Sequence, residues 1–426
     1  MCCSVQSSRH VNGHRLAVWA ISLVAAFPLQ AAPLSFERAL NLATRGAPTL
    51  TASQTKVDSA RAAVIPAGEL PDPKLAVGVE NFPIGGTDRY SLTNDFMTMQ
   101  RIAYMQDVPN RSKRDARIAV AQARVLQAES AQQLSTLSVR RETAVAWIRC
   151  YALEQQIALF DSLSKQNKLL EFAIQAQLAG GRGSITDVLM PRQEAAMLDE
   201  RLDELRAQRA QAIAALERWV GAAASESLEG TPPNWPLDRG ALTHRIQNHP
   251  DVNLLNDTGR VLDAELQEAQ AMKKPDWGME FAYQRRGEQF GDMVSFKFTF
   301  DLPTSPTKRQ DPQIAAKQLE RMGLDAEREL MRREHLQELN TQWAELERLN
   351  LALERNQTIL QPLMRDKAAL TLAAYQAGKG SLLEHLAARR ESLETQLRFL
   401  ALQGERQTIS ARLHFTNDAP LTGGLQ

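Results

Sequence analysis

Five histidines outside the N-terminal leader are the residues best suited by type to metal binding or acid–base chemistry. They are scattered without the short, regular spacings of zinc ligands, at His244, His249, His335, His385 and His414. We therefore predict surface or helix-packing histidines and no metal site. The sequence also contains no phosphate-binding loop, nucleophile constellation or paired-carboxylate site, so we predict a protein that is not an enzyme and has no cofactor.

A repeated phrase offers a second set of polar residues. "GRGSITDVL" begins at Gly181, and "GKGSLLEHL" begins at Gly378. Each phrase places an acidic residue three positions after a serine, in the pairs Ser184–Asp187 and Ser381–Glu384. That spacing is typical of a capping box, in which serine and carboxylate bond the first backbone amides of a helix. The glycines, including Gly183 and Gly380, allow a tight chain reversal.

Long helices must position these phrases. Residues 112–177 contain neither proline nor glycine, and their apolar residues recur at steps of three, four and seven, which predicts a helix. A second helix is predicted over 313–376, with a break near Pro362. A helix of that length spans roughly 100 Å, so we expect the helices to pack along one another as coiled coils.

The chain has two halves with the same plan. Besides the repeated phrase, "FERALNLATRGAPTLTAS" resembles "DRGALTHRIQNHPDVNLLN", and "YMQDVP" resembles "FTFDLP". We predict a first repeat over 32–229, a proline-rich linker over 230–237, a second repeat over 238–417 and a tail over 418–426. Each repeat should contain a helix, two strands, a very long helix, a turn and a return helix.

The strand pairs alternate between apolar and polar residues. In "VSFKFTFDL", Phe296, Phe298 and Phe300 are predicted on the face opposite Lys297 and Thr299. A lipid-facing apolar side and a wet polar side are typical of outer-membrane barrel strands; the alternative is a soluble sheet with one buried face. Four strands cannot close a barrel, and unpaired edges are costly in lipid. We therefore predict that three chains build a twelve-stranded barrel.

The N-terminus predicts export. Basic residues precede the apolar run "LAVWAISLVAAF", and Ala31 follows as a cleavage residue, so residues 1–31 are predicted to be a signal peptide. The mature chain retains Cys150, which has no other cysteine with which to form an intramolecular disulfide. Fifty basic residues balance fifty acidic ones, which gives no indication of nucleic-acid binding.

These features resemble the TolC-like outer-membrane efflux proteins across residues 34–417. The resemblance depends on the twofold repeat, the strand pairs and the pattern "G-x-G-S-x-x-[DE]-x-L". The stretches "LPDPKLAVGVENFP", "MTMQRIAYMQDVPNRSKRDAR" and "RQDPQIAAK" resemble the CzcC-like subunits of heavy-metal cation exporters.

The resemblance implies a homotrimer in the outer membrane with its helical tube in the periplasm. The two phrases would then be hairpin tips that dock a periplasmic adaptor protein, which couples the channel to an inner-membrane RND-type pump. It also places Glu384 and Tyr375 at the closed aperture, where Glu384 either lines the pore or only caps its helix. The family has a second ring of acidic residues at the position that corresponds to Ala387. This chain has alanine there, so it lacks that ring.

Several functions remain open at this point. The resemblance favours a passive duct for heavy-metal cations, and a duct for drugs, other small organic molecules or type I secretion is the alternative. A periplasmic coiled-coil protein without a conduit is an alternative of another class.

Overall fold

The structure is a computed structural model that describes residues 33–181 and 184–416, apart from the side chains of residues 161, 162 and 177. The predicted signal peptide and the C-terminal tail lie outside the described residues. The first half contains α1 (Phe36–Gly46), α2 (Pro48–Ala67), β2 (Lys74–Glu80), β3 (Met99–Val108), α3 (Arg111–Ala179) and α4 (Ile185–Val220).

The second half repeats this order of elements. It contains α5 (Arg239–Arg245), α6 (Pro250–Ala271), β5 (Trp277–Arg285), β6 (Met293–Phe300), α7 (Gln310–Arg355), α8 (Gln361–Gln376) and α9 (Leu382–Phe415). Residues 230–238, which contain the proline-rich stretch, have no regular secondary structure. A short parallel pair, β1 (Leu34–Ser35) with β4 (Leu228–Glu229), joins the start of the first half to its end.

The long helices lie close to their predicted bounds. α3 runs for 69 residues without interruption. The second long helix changes at Asn356–Leu360, where one π-helical segment separates α7 from α8. Pro362 follows directly and has no N–H for the usual bond to the preceding turn. A wider turn with i→i+5 bonding is a known way to accommodate such an interruption, so the predicted break takes this form.

The largest apolar core lies where the helices of both halves meet near the chain ends. Trp147 of α3 is completely buried, and its indole N–H donates to the carbonyl oxygen of Leu34 at 3.0 Å. Phe36 meets the Trp147 ring edge to face, and Tyr151 stacks on it with a centroid distance of 5.5 Å. Since buried aromatic rings bring large apolar areas out of water, this cluster fixes α1 and β1 against α3.

The four longer strands form one antiparallel sheet in the order β2-β3-β5-β6. The two halves therefore meet between β3 and β5, where Ala103 pairs with Ala282. Within the described chain, neither β2 nor β6 pairs on its outer side. The sheet thus has two open edges.

Candidate functional site

The two helical reversals have the same local structure where both can be compared. α3 ends before Gly180, and Gly181 has φ +75°; α8 ends before Ala377, and Gly378 has φ +70°. Gly183 lies outside the described residues. Only glycine adopts such φ values readily, and among the described atoms none would contact a Cβ at Gly181 or Gly378. The requirement for glycine at these two positions is therefore one of backbone conformation.

Gly380 is restricted for a different reason. A Cβ at this position would lie 3.0 Å from the Cβ of Ala374 and 3.3 Å from its backbone. The backbone N–H of Gly380 donates to the Ala374 carbonyl at 3.1 Å, as does that of Lys379 at 2.9 Å. These bonds close the end of α8 tightly, so the second reversal has little space for a side chain at Gly380.

Both predicted capping boxes are present. The Ser184 amide donates to Asp187 Oδ2 at 2.9 Å. The Ser184 side chain accepts in return from the backbone at the start of α4, which completes the first box. The Glu384 amide donates to Ser381 Oγ at 3.2 Å, and the Ser381 amide donates to Glu384 Oε2 at 3.3 Å. Each carboxylate therefore satisfies a free amide at a helix N-terminus, where negative charge is also favoured by the helix dipole.

Glu384 remains exposed although it takes part in its capping box. Its carboxylate has several acceptor positions, so the capping bond leaves others available to solvent. Tyr375, the other aperture candidate, is partly buried against Ile174, Leu382 and Leu386. Burial, and next the negative charge of Asp187, raise the pKa of Tyr375. This cluster packs the two reversals against each other.

An ion pair behind the reversals, buried on its acidic side, was missed by the sequence analysis. Glu194 of α4 is 5% exposed, and its Oε2 accepts a bond from Arg390 of α9 at 2.7 Å. Nearby, Asn167 donates to the carbonyl of Pro191 at 2.8 Å, joining α3 to α4. Buried charges require partners, so this pair fixes α4 relative to α9. No sequence signal links residues so far apart in the chain.

The four-stranded sheet has one face of large apolar side chains. Phe296, Phe298 and Phe300 are exposed by 73%, 61% and 61%. In the strand register, Leu75, Tyr104, Phe281 and Phe296 form one row across all four strands. The same face also carries Val77, Ile102, Trp277, Met279, Tyr283 and Val294, all of them more than a third exposed.

The opposite face of the sheet is polar. Arg101 of β3 donates to Glu80 of β2 at 2.8 Å and also bonds Glu280 of β5. Ser295 donates to Gln284 at 3.1 Å between β5 and β6. Polar rows of this kind alternate with apolar rows in the middle of the strands, while Gln100, Gln106 and Arg285 place polar groups toward the ends of the apolar face.

A third constellation lies among the helices. His249, Asp251 and His335 place one nitrogen or oxygen atom each within 4.8 Å of one another. His249 Nδ1 is 3.4 Å and His335 Nε2 is 3.1 Å from Asp251 Oδ2. Burial lowers the pKa of His249 to about 4. The spacing in the sequence does not indicate this contact, because His249 and His335 lie 86 positions apart and only the packing of α6 against α7 brings their rings together. Among the described residues, the structure brings neither His244, His385 nor His414 into this constellation.

In the described part of the chain, none of the helices combines the length and apolar composition needed to cross a bilayer.

Comparisons with known proteins give matches at the level of structure. The sequence matches no family model and no curated protein. A membrane protein from Pseudomonas aeruginosa is similar with a TM-score of 0.77 and 16% identity, over 90% of both chains. CusC, described in terms of transmembrane channel formation, gives 0.73 and 16%, over 90% of this chain and 92% of its own. The outer membrane protein VceC from Vibrio cholerae gives 0.72 and 17%, over 90% and 96%.

These likenesses establish the fold. The predicted fold class, long coiled helices combined with a small strand domain, is confirmed by this likeness to CusC and VceC. The twelve-stranded trimer stays a prediction.

Proposed function

We propose that this chain is the subunit of a homotrimeric, TolC-like outer-membrane channel in a tripartite efflux system. Residues 1–31 direct export and are removed, and the repeats over 32–229 and 238–417 each contribute two barrel strands and one helical hairpin. The linker over 230–237 joins them, and the tail over 418–426 follows the second repeat. The protein acts as a passive conduit.

One observation carries this proposal: the sheet exposes its large apolar side chains on a single face while both of its edges are open. An exposed apolar face of this size is unusual for a soluble monomer. In lipid the same face is favourable, but each unpaired backbone group at the edges costs several kcal/mol. Pairing β6 of one chain with β2 of the next satisfies both requirements. Three copies then supply twelve strands, within the range of outer-membrane barrels.

The long helices also favour the proposal, because they can form a tube below this barrel. Several exposed apolar residues lie along the long helices rather than on the sheet: Leu169, Phe172, Leu319, Met322, Leu351 and Leu370. Coiled-coil contacts with neighbouring chains would cover them. The tube then ends at the reversals around Gly181, Ser184 and Asp187 and around Gly378, Gly380 and Ser381. We propose these tips as the docking points for a periplasmic adaptor, which couples the channel to an inner-membrane RND-type pump.

We propose heavy-metal cations as the cargo. The support is the resemblance of three sequence stretches to CzcC-like subunits. The polar face of the sheet carries both signs of charge, including Arg101, Glu80, Glu280 and Lys297. Because the two signs of charge are mixed, the barrel would not select strongly between cations and anions. We therefore assign selection of the cargo to the pump.

The test is to express the full chain in a Gram-negative host and examine its membrane. The duct predicts trimers that only detergent extracts, that resist heat and that conduct ions in planar bilayers. A protein released without detergent and devoid of conductance would instead be a periplasmic coiled-coil protein. Growth of a deletion strain on zinc, cobalt or cadmium salts, compared with growth on dyes and antibiotics, distinguishes the two cargo classes.

A further inference from the structure

We propose that His249, Asp251 and His335 form a binding site for a divalent transition-metal cation of the zinc class. The site lies in the helical region, away from both the sheet and the reversals. Because His249 is buried and Asp251 and His335 are partly buried, the metal would be a resident ion rather than cargo. Imidazole and carboxylate together are a common donor set for zinc, cobalt, nickel and copper ions.

Two elements bring the ligands together. His249 is the N-cap of α6, and Asp251 follows in its first turn. His335 projects from the middle of α7, and the His249 and His335 rings lie 3.8 Å apart between centroids. A metal ion here would therefore join the start of α6 to α7, which are distant in sequence.

The distances suit a small tetrahedral ion. Zinc binds nitrogen and carboxylate oxygen at about 2.1 Å, which places tetrahedral ligand atoms about 3.4 Å apart. The Asp251 carboxylate oxygen lies 3.4 Å from His249 Nδ1 and 3.1 Å from His335 Nε2. Only small side-chain movements are needed to seat an ion among these three atoms, and a water molecule or another donor would complete four-coordination.

The two imidazoles differ in the hydrogen-bond partners that they already have. The backbone of Thr416 is a further hydrogen-bond partner of the His249 imidazole. Its Nδ1 accepts from the Asp251 amide at 3.2 Å, and because a ring nitrogen has one lone pair, a metal ion would replace this capping bond. His335 Nε2 is buried and has no aligned hydrogen-bond partner among the described residues. A buried nitrogen left in this way is costly for a protein, and a metal ion would satisfy it.

The surrounding charges allow a cation. Arg141 of α3 is the positive side chain that acts on both His249 and Asp251, and it bonds Glu142 at 3.2 Å. Asp251 supplies a negative charge in direct contact with the proposed ion. The competing explanation is a simple ion pair between protonated His335 and Asp251, which would join the same helices without a metal.

Zinc titration of the full mature chain decides between these explanations. The protein is purified in detergent without a histidine tag, treated with EDTA and titrated with zinc chloride by calorimetry. We expect one zinc ion per chain. His249→Asn should lower the affinity at least tenfold while preserving the helix cap, since asparagine is a favoured N-cap residue. His335→Gln should lower it similarly.

His244→Gln is the matched control, because His244 is exposed and lies five residues before His249. It should bind zinc as wild type does. With free zinc at 100 times the wild-type Kd, the unfolding equilibrium constant of wild type should fall about 100-fold, and that of His249→Asn should fall about tenfold or less. Equal zinc isotherms for wild type and His249→Asn, or no zinc binding at all, would overturn the proposal and leave the ion pair.

Discussion

Gly181 and Gly378 occupy equivalent points of the two reversals and have nearly identical backbone angles, φ +75° and +70°. Both sites have open space around the missing side chain. Each half of the chain therefore forms the same reversal around a glycine in the left-handed region.

Replacing either glycine with valine should distort its tip. The strain comes from the positive φ alone and should cost about 1–2 kcal/mol. We expect trimers to assemble and insert, because the sheet is distant, while site-specific cross-linking to the adaptor and export are lost. Gly323→Val is the control, since Gly323 lies in α7 with open space and no positive φ. Normal cross-linking in both tip variants would remove the docking assignment.

Phe298→Asp should block membrane insertion. The side chain lies on the apolar face, where a charge near the bilayer midplane is destabilising in every chain, by roughly 2–4 kcal/mol for Arg or Lys and by less for Asp. Thr299→Asp, on the polar face beside Gly278, should insert normally. The measurement is the yield of heat-resistant trimers in outer-membrane fractions. Similar losses for both variants would mean that the two faces of the sheet are assigned the wrong way round.

Glu384→Gln should leave the fold intact but lower the cation selectivity of the reconstituted channel. Glutamine can still complete the capping box, so the return helix should form as before. Three exposed carboxylates around a threefold axis would attract cations, and the substitution removes that charge. Reversal potentials across a salt gradient, recorded at low salt where screening is weak, measure the effect. A wild-type reversal potential would restrict Glu384 to its capping role.

Acid should weaken the junction between the sheet and α3 through Asp276. Burial opposes its ionisation, but Lys113 at 2.7 Å and Asn110 at 2.8 Å outweigh it and lower the pKa of Asp276. Because the pKa is lower in the folded state, ionised Asp276 stabilises the fold at pH values above the ordinary aspartate pKa of about 3.9. This stabilisation is lost as the pH falls through the folded-state pKa.

Denaturant unfolding in detergent micelles between pH 3 and 7 tests this dependence. Wild type should be more stable than Asp276→Asn near pH 7, and the difference should shrink steadily as the pH falls below 4. A difference that stays constant with pH would show that the carboxylate charge contributes nothing.

Periodicity and turn chemistry were sufficient to predict the long helices, the reversals and the strand pairs. The serine–acid spacing predicted both capping boxes because capping is a local interaction within four residues. The form of the break before Pro362 was not predictable, since proline explains an interruption but not the π-helical turn that accommodates it. Glu194–Arg390 and His249–His335 depend on how distant helices pack, and a single sequence contains no local signal for such contacts.

The π-helical segment Asn356–Leu360 has a consequence for the symmetry of the assembly. A π turn closes its hydrogen bonds over five residues, where an α turn closes them over four. The side chains of α8 are therefore rotated about the helix axis relative to the positions they would have if α7 continued as a regular α-helix. α3 has no equivalent segment. In a docked trimer, the two tips of each chain would therefore present their side chains at different rotations about the helix axis. A trimer would present six tips in two alternating kinds, and an adaptor ring of six identical subunits would have to bind both.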